Sequence, residues 1–598
     1  MTRRLQARVQ VRSPMTRRLR ALALILMLCA VTACVRLPES GPVTAGTSLD
    51  ESDDVAPPIN APGEPRPGAD PEEIVSTFLQ AMGGYPQTLD VARDYLTAQA
   101  DANWEPQRRT LIMTDRTVSL LGPGRVVLSG TEVGTLSQRG SWSSAGFGGV
   151  SYRREFTLVR DGGEWRIANP PQALVISNDY FDRYYQAYSL YFPDPTDHIL
   201  VPDPIYLESG PQTPTLLAQG LLRGPTPWLV GAVRQIVPAT NVGLSVPVSN
   251  AGVAEVPLSD VVLGLGPDDR ISLLAEFVWT LAQVPGISAV RLTAGGGPFE
   301  VGGSTNPVPI NSFPGYDPAG LTASGQLFGL SGGRLVAIDD TGVAAVGGPY
   351  GESLNNVSSL AIDTQAEHVA VVNAARSSVR VAELSPSDPA APNRPATWYS
   401  GGEALLRPVW DLTGQLWIVD DTRQGARLIA IRPDHSVHEY SVPGLTGQNV
   451  QAFRISRDGV RLATVVDTGS GDRLQVSRIV RNGTGAVVRV DHTAAVTNSD
   501  IRFTDILDIG WSTPTSLAVL ARVENATPEP YTVAIDGSDI VLSTGLPNIG
   551  AQTVASSPNH PAPLVIGSRS GSLWVRRSDL RWARTAPSQP VWLPTYPG

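Results

Sequence analysis

The order of apolar and polar positions divides the chain into segments of different predicted structure. An unbroken apolar run, Ala21–Val31, follows an arginine-rich segment near the amino terminus. Residues 34–70 carry seven prolines and several acidic residues but none of the apolar periodicity that a folded core requires, so we predict an extended tether there. From residue 71 onward apolar positions recur at helical or strand spacing, which indicates folded domains.

The first folded region, residues 71–195, is predicted to be an α+β domain. Asp70 followed by Pro71 is a helix-start signal, and the apolar residues that follow share one helix face. A second helical stretch is predicted around residues 91–96. Strand-like alternation then occurs in three segments: residues 125–128, 152–159 and 165–167. Helices followed by an antiparallel sheet favour a small cone of the NTF2-like kind, and the lack of any histidine before His198 favours a structural role for it.

Residues 180–207 are crowded with tyrosine, phenylalanine and proline. One interpretation is an aromatic platform that binds a ligand. The other is a joint at which two domains pack together, because aromatic side chains bury large apolar areas. We favour the joint, and the platform remains the alternative.

A second α+β unit is predicted for residues 196–305. Its first helix, near residues 216–222, ends at Arg223-Gly224-Pro225, where glycine can cap a helix and proline cannot continue it. A longer helix is predicted over residues 270–281 because its apolar residues lie on one face. Strands are expected in three segments: residues 242–246, 252–258 and 289–293.

Residues 315–598 repeat one short motif, a strand, a polar turn and a second strand. The repeats can be aligned on five turn residues: Asp363, Asp411, Ser456, Ser512 and Ser556. Their spacing of 44–56 residues is close to the length of a β-propeller blade, and residues 321–339 supply one more repeat. One blade cannot bury both its faces, so blades stack around a channel. We predict an all-β propeller of about six blades, with five or seven as alternatives.

The amino-terminal segment has the layout of a bacterial lipoprotein signal. Arginines precede the apolar run Ala21–Val31, which is too short to span a bilayer. The run leads into a lipobox, an aliphatic residue, a small residue, alanine and cysteine: Val31, Thr32, Ala33 and Cys34. We therefore expect residues 1–33 to be a signal peptide and Cys34 to carry a diacylglyceryl thioether and an N-acyl chain. An ordinary signal peptide with a chance cysteine is the alternative, and translation from Met15 is an alternative to Met1.

Composition narrows the possible chemistry. All 46 basic residues are arginine, so the chain can form neither a lysine Schiff base nor a Walker-type phosphate site. The formal net charge is −10, and the mature chain is more acidic still because seven arginines precede Cys34, so charge alone does not favour nucleic acid. Cys29 lies in the signal peptide and Cys34 is the acylation site, so no intrachain disulfide is expected.

No residue set is predicted to be a catalytic, cofactor or metal site. His435 and His438 form an H-x-x-H motif, but on a strand this odd spacing places the two side chains on opposite faces. Neither a nearby cysteine nor a third histidine completes a zinc site. Residues 295–297 are three glycines without the continuation of a nucleotide-binding loop, so they are interpreted as a turn.

Three features together resemble the LpqB-type lipoproteins of actinobacteria: the lipobox, the segment PDPTDHILVPDPIYL at 193–207, and the second α+β unit. That unit resembles the GerMN module of sporulation and germination proteins in LLRGPT (221–226) and EFVWTLAQVPGISAVRL (276–292). The resemblance covers essentially the whole mature chain in the family's domain order. It implies a membrane-anchored accessory of a two-component system, and only the lipidated cysteine carries over, to Cys34.

We therefore expect a binding protein and not an enzyme. The resemblance implies an accessory or modulator that meets the extracellular domain of a sensor histidine kinase at the extracytoplasmic face of the cell membrane, in envelope homeostasis and cell division. The alternative is a cell-wall glycan-binding scaffold that uses the propeller channel or the aromatic segment. A propeller hydrolase or dehydrogenase is disfavoured, because paired carboxylates, a general base and a cofactor motif are lacking in the sequence.

Overall fold

The computed structural model describes nine stretches of the chain: residues 63–85, 88–237, 245–303, 306–320, 323–339, 342–385, 394–559, 562–585 and 589–598. All of them fall within one unit, Pro58–Gly598. The predicted signal peptide, most of the predicted tether and part of the predicted strand 242–246 lie outside the described residues.

The first domain is a six-stranded sheet with short helices. Its helices are α1 (Pro71–Ala81), α2 (Asp90–Arg93), α3 (Ala98–Ala102) and α4 (Asn178–Tyr184). Its strands are β1 (Arg109–Gly122), β2 (Arg125–Ser137), β3 (Trp142–Ser144), β4 (Val150–Asp161), β5 (Glu164–Ile167) and β6 (Leu174–Ser177). The strand order is β5-β4-β2-β1-β6, with β3 paired to β2, and every pairing is antiparallel except that of β6 with β1.

Helix α1 begins at the predicted residue. The Asp70 carboxylate accepts a hydrogen bond from the Glu73 N–H at 2.9 Å, which caps a helix that has Pro71 in its first turn. Its apolar face is buried, and the Phe78 ring lies 5.5 Å from that of Trp104. The amphipathic pattern thus places this helix against the domain core, as the sequence predicted.

The second predicted helix is shorter than expected. It ends at Arg93, because the backbone of Tyr95 to Thr97 bonds to Ile167 on β5 instead of continuing the helix. The Ile167 N–H donates to the Tyr95 carbonyl at 2.9 Å, and the Thr97 N–H donates to the Ile167 carbonyl at 3.0 Å. A tertiary contact therefore overrides the local helical pattern.

The second domain begins with a hairpin of β7 (Tyr185–Pro193) and β8 (Leu200–Glu208). It continues through α5 (Thr213–Leu222), β9 (Val253–Leu258), α6 (Pro267–Leu281), β10 (Ala289–Ala294), β11 (Gly297–Pro298) and β12 (Val308–Pro309). Strands β9, β11 and β12 all pair with β10, and β9 is parallel to it. Gly224, directly after α5, has φ +82°, so the predicted glycine cap is confirmed.

The predicted boundary between residues 195 and 196 is wrong, because it falls in the turn of the β7–β8 hairpin. The hairpin side chains Tyr188, Leu190, Phe192 and Ile205 are buried in the same core as α5 and α6. Both hairpin strands therefore belong to the second domain. Helix α4 precedes them and packs in the first domain, which places the boundary close to residue 185.

The remaining described residues form six four-stranded antiparallel sheets and one short helix, α7 (Gly348–Glu352). The strands of the first three sheets are β13 (Leu327–Ser331), β14 (Arg334–Asp339), β15 (Gly342–Ala345), β16 (Val357–Ile362), β17 (His368–Asn373), β18 (Ser378–Glu383), β19 (Ala396–Ser400), β20 (Val409–Trp410), β21 (Leu416–Thr422), β22 (Gly425–Ile431) and β23 (Val437–Tyr440). Those of the next three are β24 (Asn449–Ile455), β25 (Arg461–Asp467), β26 (Asp472–Arg481), β27 (Val487–Ala495), β28 (Phe503–Thr513), β29 (Ser516–Val523), β30 (Glu529–Ala534), β31 (Ile540–Leu542), β32 (Ala551–Ala555), β33 (Val565–Ser568), β34 (Leu573–Arg576) and β35 (Trp582–Arg584). A last strand, β36 (Trp592–Thr595), completes the sheet of β13 to β15.

The six sheets are arranged in a ring. The inner strands β16, β20, β24, β28 and β32 each contact the next in this order, and β36 contacts both β32 and β16. The last strand of the chain therefore joins the first sheet and closes the ring. This is the arrangement of a β-propeller-like domain.

The repeat residues occupy equivalent turns. Asp363, Asp411, Ser456 and Ser556 follow the inner strands of their sheets, and Ser512 is near the end of β28. Asp411 shows why a carboxylate suits this position. Its Oδ1 accepts the Gln415 N–H at 3.0 Å, and its Oδ2 accepts the Trp417 Nε1–H at 2.8 Å. Oδ2 also pairs with the buried Arg481 of the next sheet at 2.6 Å.

We predict that Asp411→Ala destabilises the propeller by about 3–5 kcal/mol, because it leaves the Arg481 guanidinium buried without its counter-ion. The measurement is denaturant unfolding followed by tryptophan fluorescence. Asp434→Ala is the matched control, since Asp434 is an exposed turn residue of the same sheet that bonds only to Ser436. Equal midpoints for the two variants would contradict this role of Asp411.

Candidate functional site at the domain junction

The residues predicted for lipidation and signal cleavage lie outside the described residues: Val31, Thr32, Ala33 and Cys34. The lipid anchor therefore stays a prediction. In the part of the chain that the structure describes, buried polar contacts between domains concentrate where the three domains meet. This junction is the candidate functional site.

The aromatic segment predicted as a joint packs against both α+β domains. The Tyr184 ring stacks on Tyr85 with centroids 4.4 Å apart, and the Phe181 ring stacks on Trp142 at 5.3 Å, both within the first domain. Farther along the segment, Leu190 is buried in the core of the second domain. The contacts agree with the joint interpretation, because these rings bind one another and not an open surface.

Two motifs of the second domain are held together by one buried carboxylate. Asp203 lies in the PDPIYL part of β8, and Thr226 ends the LLRGPT motif. The Thr226 N–H donates to Asp203 Oδ2 at 2.6 Å, and the Thr226 hydroxyl donates to Oδ1 at 2.8 Å. Burial raises the pKa of Asp203, and the two hydrogen bonds act against this effect. Asp203 therefore fixes the segment after α5 beside the hairpin.

Arg461 of the propeller contacts the same two segments, strand β8 and the segment after α5. It begins β25, has no solvent exposure, and forms an ion pair with Asp458. Its Nη2 donates to the Pro202 carbonyl on β8, and its guanidinium lies 5.7 Å from the ring centroid of Trp228. A buried charge of the propeller is thus satisfied partly by groups of the second domain.

Further contacts reinforce the junction. Arg478 Nη1 donates to the carbonyls of Trp228 and Val230 at 2.8 and 2.7 Å, while its Nε pairs with Asp491 at 2.8 Å. The first domain joins through Arg139, whose Nη1 donates to the Pro225 carbonyl at 2.8 Å. Backbone bonds extend this contact: the Tyr206 N–H donates to the Gly140 carbonyl and the Gly148 N–H to the Ser499 carbonyl, each at 2.8 Å.

A cavity of about 500 Å³ remains between the three domains. Each domain supplies part of its wall: Ser141 and Trp142 of the first, Asp203 and Trp228 of the second, Arg461 and Asp536 of the propeller. Ser141 Oγ, Trp142 Nε1 and Arg461 Nε are buried and have no hydrogen-bond partner in the part of the chain that the structure describes. The volume is in the range of small-molecule sites, and the free groups can donate to a ligand's oxygens.

Sequence reasoning missed Arg461 and Arg478 as residues that join domains. The available signal was a charged residue within a strand whose neighbours are nearly all apolar, as in RLATVV, because such a charge must find a buried partner. Sequence alone did not identify that partner, since Pro202 and Trp228 lie more than 200 positions away along the chain.

The histidine candidates do not assemble into a metal site among the described residues. His435 lies in a turn and packs on Trp398 with centroids 4.6 Å apart, and His438 is in β23. Asp363, Glu367 and His368 are the group of potential ligands that the described residues bring together. Asp363 already accepts the N–H groups of Glu367 and His368, so the cluster is accounted for as a turn.

We predict that Arg461→Ala lowers the free energy of unfolding by about 3–5 kcal/mol, since Asp458 then stays buried without its counter-ion. It should also increase hydrogen exchange in β8, which loses the bond to Pro202. The control, Arg427→Ala, removes an exposed pair with Glu439 and should cost less than about 1 kcal/mol. The double variant Arg461→Met with Asp458→Leu should recover much of the stability. Unchanged exchange in β8 of Arg461→Ala would contradict the coupling.

The Asp363–His368 pair should give the free energy of unfolding a small dependence on pH. His368 Nδ1 lies 2.8 Å from Asp363 Oδ2. The hydrogen bond that Asp363 accepts from His368 raises the pKa of His368 above 6.5, so the pair stabilises the folded state below about pH 6.5 and loses this effect as the pH rises through the folded-state pKa. Between about pH 5.5 and about pH 8.5, His368→Gln should lose less stability than the unmodified protein, by under about 1 kcal/mol. The measurement is urea unfolding across this pH range, and the control is His198→Gln, at an exposed histidine, which should match the unmodified protein. If the free energy of unfolding changes with pH equally in all three proteins, the pair does not contribute.

Comparisons with known proteins agree with the domain order. Residues 64–182 match the family described as Lipoprotein LpqB, N-terminal domain, and residues 333–597 match the Lipoprotein LpqB beta-propeller domain. Residues 189–300 match the family described as Sporulation and spore germination. Strand β7 begins between the end of the first match at residue 182 and the start of the germination-family match at residue 189, which agrees with the corrected boundary near residue 185.

Curated relatives extend over nearly the whole chain. Lipoprotein LpqB of Thermobifida fusca is 27% identical and covers 95% of this chain and 97% of its own length. Lipoprotein LpqB of Streptomyces coelicolor is 27% identical and covers 95% of this chain and 96% of its own length. Lipoprotein LpqB of Mycobacterium bovis strain BCG is 27% identical and covers 94% of this chain and 96% of its own length. Among solved structures, the first GerMN domain of the sporulation protein GerM from Bacillus subtilis is 21% identical, covers 21% of this chain and 95% of its own, and has a TM-score of 0.18, which is too low to carry an argument.

None of the helices in the described ranges is long and apolar enough to cross a membrane. The domain order, the matched family descriptions and the end-to-end similarity lead to one conclusion. The chain belongs to the LpqB family of actinobacterial lipoproteins.

Proposed function

We propose that the mature chain is anchored through acylated Cys34 to the extracytoplasmic face of the cell membrane. The support is the lipobox Val31–Cys34 after a short apolar run, together with membership of a lipoprotein family. One acyl chain holds a protein on a bilayer only marginally, whereas two or three hold it firmly. Such an anchor outweighs the unfavourable negative charge of the mature chain, which exceeds the −10 of the full sequence because seven arginines precede Cys34.

At this location we propose that the protein acts as an accessory or modulator of a sensor histidine kinase in envelope homeostasis and cell division. The kinase is the partner that the family resemblance implies, and the role requires no catalytic residue or cofactor. The observation that carries the proposal is the junction at Arg461, where one buried charge is shared between the propeller and the second domain. Domains fixed in this way offer a composite surface of constant geometry, which suits recognition of a folded partner.

The finer fold assignments are part of the same proposal. We propose that the six four-stranded sheets are the blades of a closed six-bladed propeller, and that the first domain is an NTF2-like cone. The ring of inner strands and its closure by β36 support the blade number. The order of helices followed by a sheet in which every pairing except that of β6 with β1 is antiparallel supports the cone.

We predict that crosslinking in intact cells, followed by pull-down and mass spectrometry, recovers a sensor kinase with the unmodified protein. Cys34→Ala should lose the kinase, because the protein is then released from the membrane. Cys29→Ala is the matched control: it changes the other cysteine, within the predicted signal peptide, and should retain both anchor and kinase. If Cys34→Ala recovers as much kinase as the unmodified protein, the lipid anchor is not needed for the interaction. If no variant recovers a kinase, a sensor kinase is not the partner.

A cell-wall glycan-binding scaffold is the second candidate, and the junction cavity of about 500 Å³ favours it specifically. Trp142 and Trp228 at its wall offer apolar surface beside unpartnered donors, a combination that suits a neutral, oxygen-rich ligand. Pull-down on purified peptidoglycan tests this function. Trp228→Ala should weaken retention relative to Trp165→Ala, which changes a tryptophan of the β4–β5 hairpin, and no retention of the unmodified protein would exclude the scaffold.

A further inference from the structure

A narrow cavity of about 50 Å³ lies inside the ring of sheets. Its wall is formed by inner strands or by the residues next to them: Thr364, Trp410, Arg454, Trp511 and Ser556. The segment Tyr596–Gly598, directly after β36, completes the wall. All six inner strands thus contribute to one small polar space, which is large enough for a compact group and too small for a bulky substrate.

The charges at this cavity are unbalanced. Three arginines line it, Arg407, Arg454 and Arg457, and the carboxylate of Asp508 lies beside the first two. Asp508 Oδ1 pairs with Arg454 Nη2 at 2.8 Å, but its other oxygen is 4.0 Å from Arg407 Nη1 and already accepts the Val554 N–H at 3.0 Å. Asp508 therefore pairs with Arg454 and lies at the limit of an ion pair with Arg407, while no ion pair joins a described carboxylate side chain to Arg457.

Arg407 and Arg457 lack a close carboxylate among the described residues. Burial, together with the neighbouring charge of Arg454, lowers the pKa of Arg407 to about 9. Burial alone lowers the pKa of Arg457 to about 10. Buried charges in proteins are normally paired, so these two side chains occupy an environment that suits an additional negative charge.

Hydrogen-bond donors without partners converge on the same cavity. Among the described residues, no hydrogen-bond partner is found for four buried groups of residues that line it: Trp410 Nε1, Trp511 Nε1, Arg457 Nη1 and Ser556 Oγ. Indole and guanidinium N–H groups can only donate. Four free groups at one position, three of which can only donate, call for an acceptor that the described side chains do not provide.

Arg457 is held in place for such an acceptor. Its Nη2 donates to the Pro597 carbonyl at 2.9 Å, and Nη1, which packs against Gly598, has no hydrogen-bond partner among the described residues. Pro597 is itself positioned by the next residue, since the Gly598 N–H donates to the Ile362 carbonyl on β16 at 2.9 Å. The guanidinium is therefore preorganised by the chain segment that follows the closing strand.

We infer that this cavity is a binding site for an oxyanion, a carboxylate or phosphate-type group, held by Arg407 and Arg457 and by the indole N–H groups of Trp410 and Trp511. The charge excess and the unpartnered donors are separate observations that point to the same ligand chemistry. A group of this size enters either as a free inorganic ion or as the acidic end of a peptide. The inference goes beyond the proposed function and does not depend on the kinase partner.

The test uses the full chain in detergent, with inorganic phosphate as the first probe at constant ionic strength. Phosphate should raise the melting temperature along a saturating curve, because it binds the folded state and not the unfolded chain. Arg457→Gln should abolish this rise, whereas Arg427→Gln, which changes an exposed arginine on β22, should retain it. A rise that does not saturate, or that is equal in Arg457→Gln, would overturn the inference as a general salt effect.

Conservative variants keep the test valid if Arg457→Gln fails to fold. Trp410→Phe and Trp511→Phe each remove one N–H donor and leave an aromatic ring, so they should fold and bind phosphate about tenfold more weakly. Unaltered affinity in both would overturn the assignment of the indole donors and with it the site. No stabilisation of the unmodified protein by phosphate or acetate would also overturn the inference, and would indicate that the chain satisfies the site internally.

The two sources of the anion are separated by competition. A short peptide rich in aspartate that displaces phosphate would support the site and identify peptide carboxylates as its occupant. Phosphate binding that the peptide does not displace would support the site and identify a free ion. Peptide binding that persists unchanged in Arg457→Gln would place the peptide elsewhere and reject this cavity as its site.

Discussion

Arg461 carries a charge at a position with no exposure to solvent, and the arrangement of two domains depends on how that charge is satisfied. A guanidinium stays protonated in proteins, and its burial is unfavourable unless it is paired and its donors are bonded. Asp458 supplies the counter-ion from the propeller itself, but Pro202 and Trp228 come from the second domain. The guanidinium therefore gains its contacts with Pro202 and Trp228 only when the β7–β8 hairpin and the segment after α5 are docked. Docking of the second domain thus becomes part of the stability of the propeller.

Buried ion pairs also link neighbouring sheets inside the ring. Asp411, after β20, pairs with Arg481 at the end of β26, and Asp508 on β28 pairs with Arg454 on β24. Apolar faces attract one another without directional preference, whereas a buried pair is satisfied at one relative placement of the two sheets. The hydrophobic clusters between sheets therefore supply most of the driving force, and the pairs restrict how adjacent sheets can pack. The closing strand β36 then fixes the ring as a whole, because it contacts both of its neighbours.

Local signals were sufficient for much of this architecture. The Asp70-Pro71 start of α1, the Gly224 cap after α5 and the turn residues Asp363 and Asp411 were all readable, because each depends on neighbours only a few residues away. Long-range pairing could not be predicted from the sequence. Helix α2 ends early because Ile167 forms backbone hydrogen bonds with Tyr95 and Thr97. The predicted domain boundary was wrong because the β7–β8 hairpin packs in the core of the second domain. The candidate site was the least accessible part. Arg461 lies more than 200 positions from Pro202 and Trp228 in the sequence, and only the fold brings the three together.

The use of arginine as the sole basic residue gives these buried charges a particular consequence. A lysine in the propeller channel could lose its proton and become neutral, and an unpaired position would then be tolerated. Arg407 and Arg457 remain cationic at neutral pH even where burial lowers the pKa to about 9 and about 10. Although the chain has a net charge of −10, Asp508, at 4.0 Å from Arg407, is the only described carboxylate side chain that forms an ion pair with either cation. Such a placement is unfavourable for packing alone, and it becomes favourable when a negative group from outside the channel wall completes the charge balance.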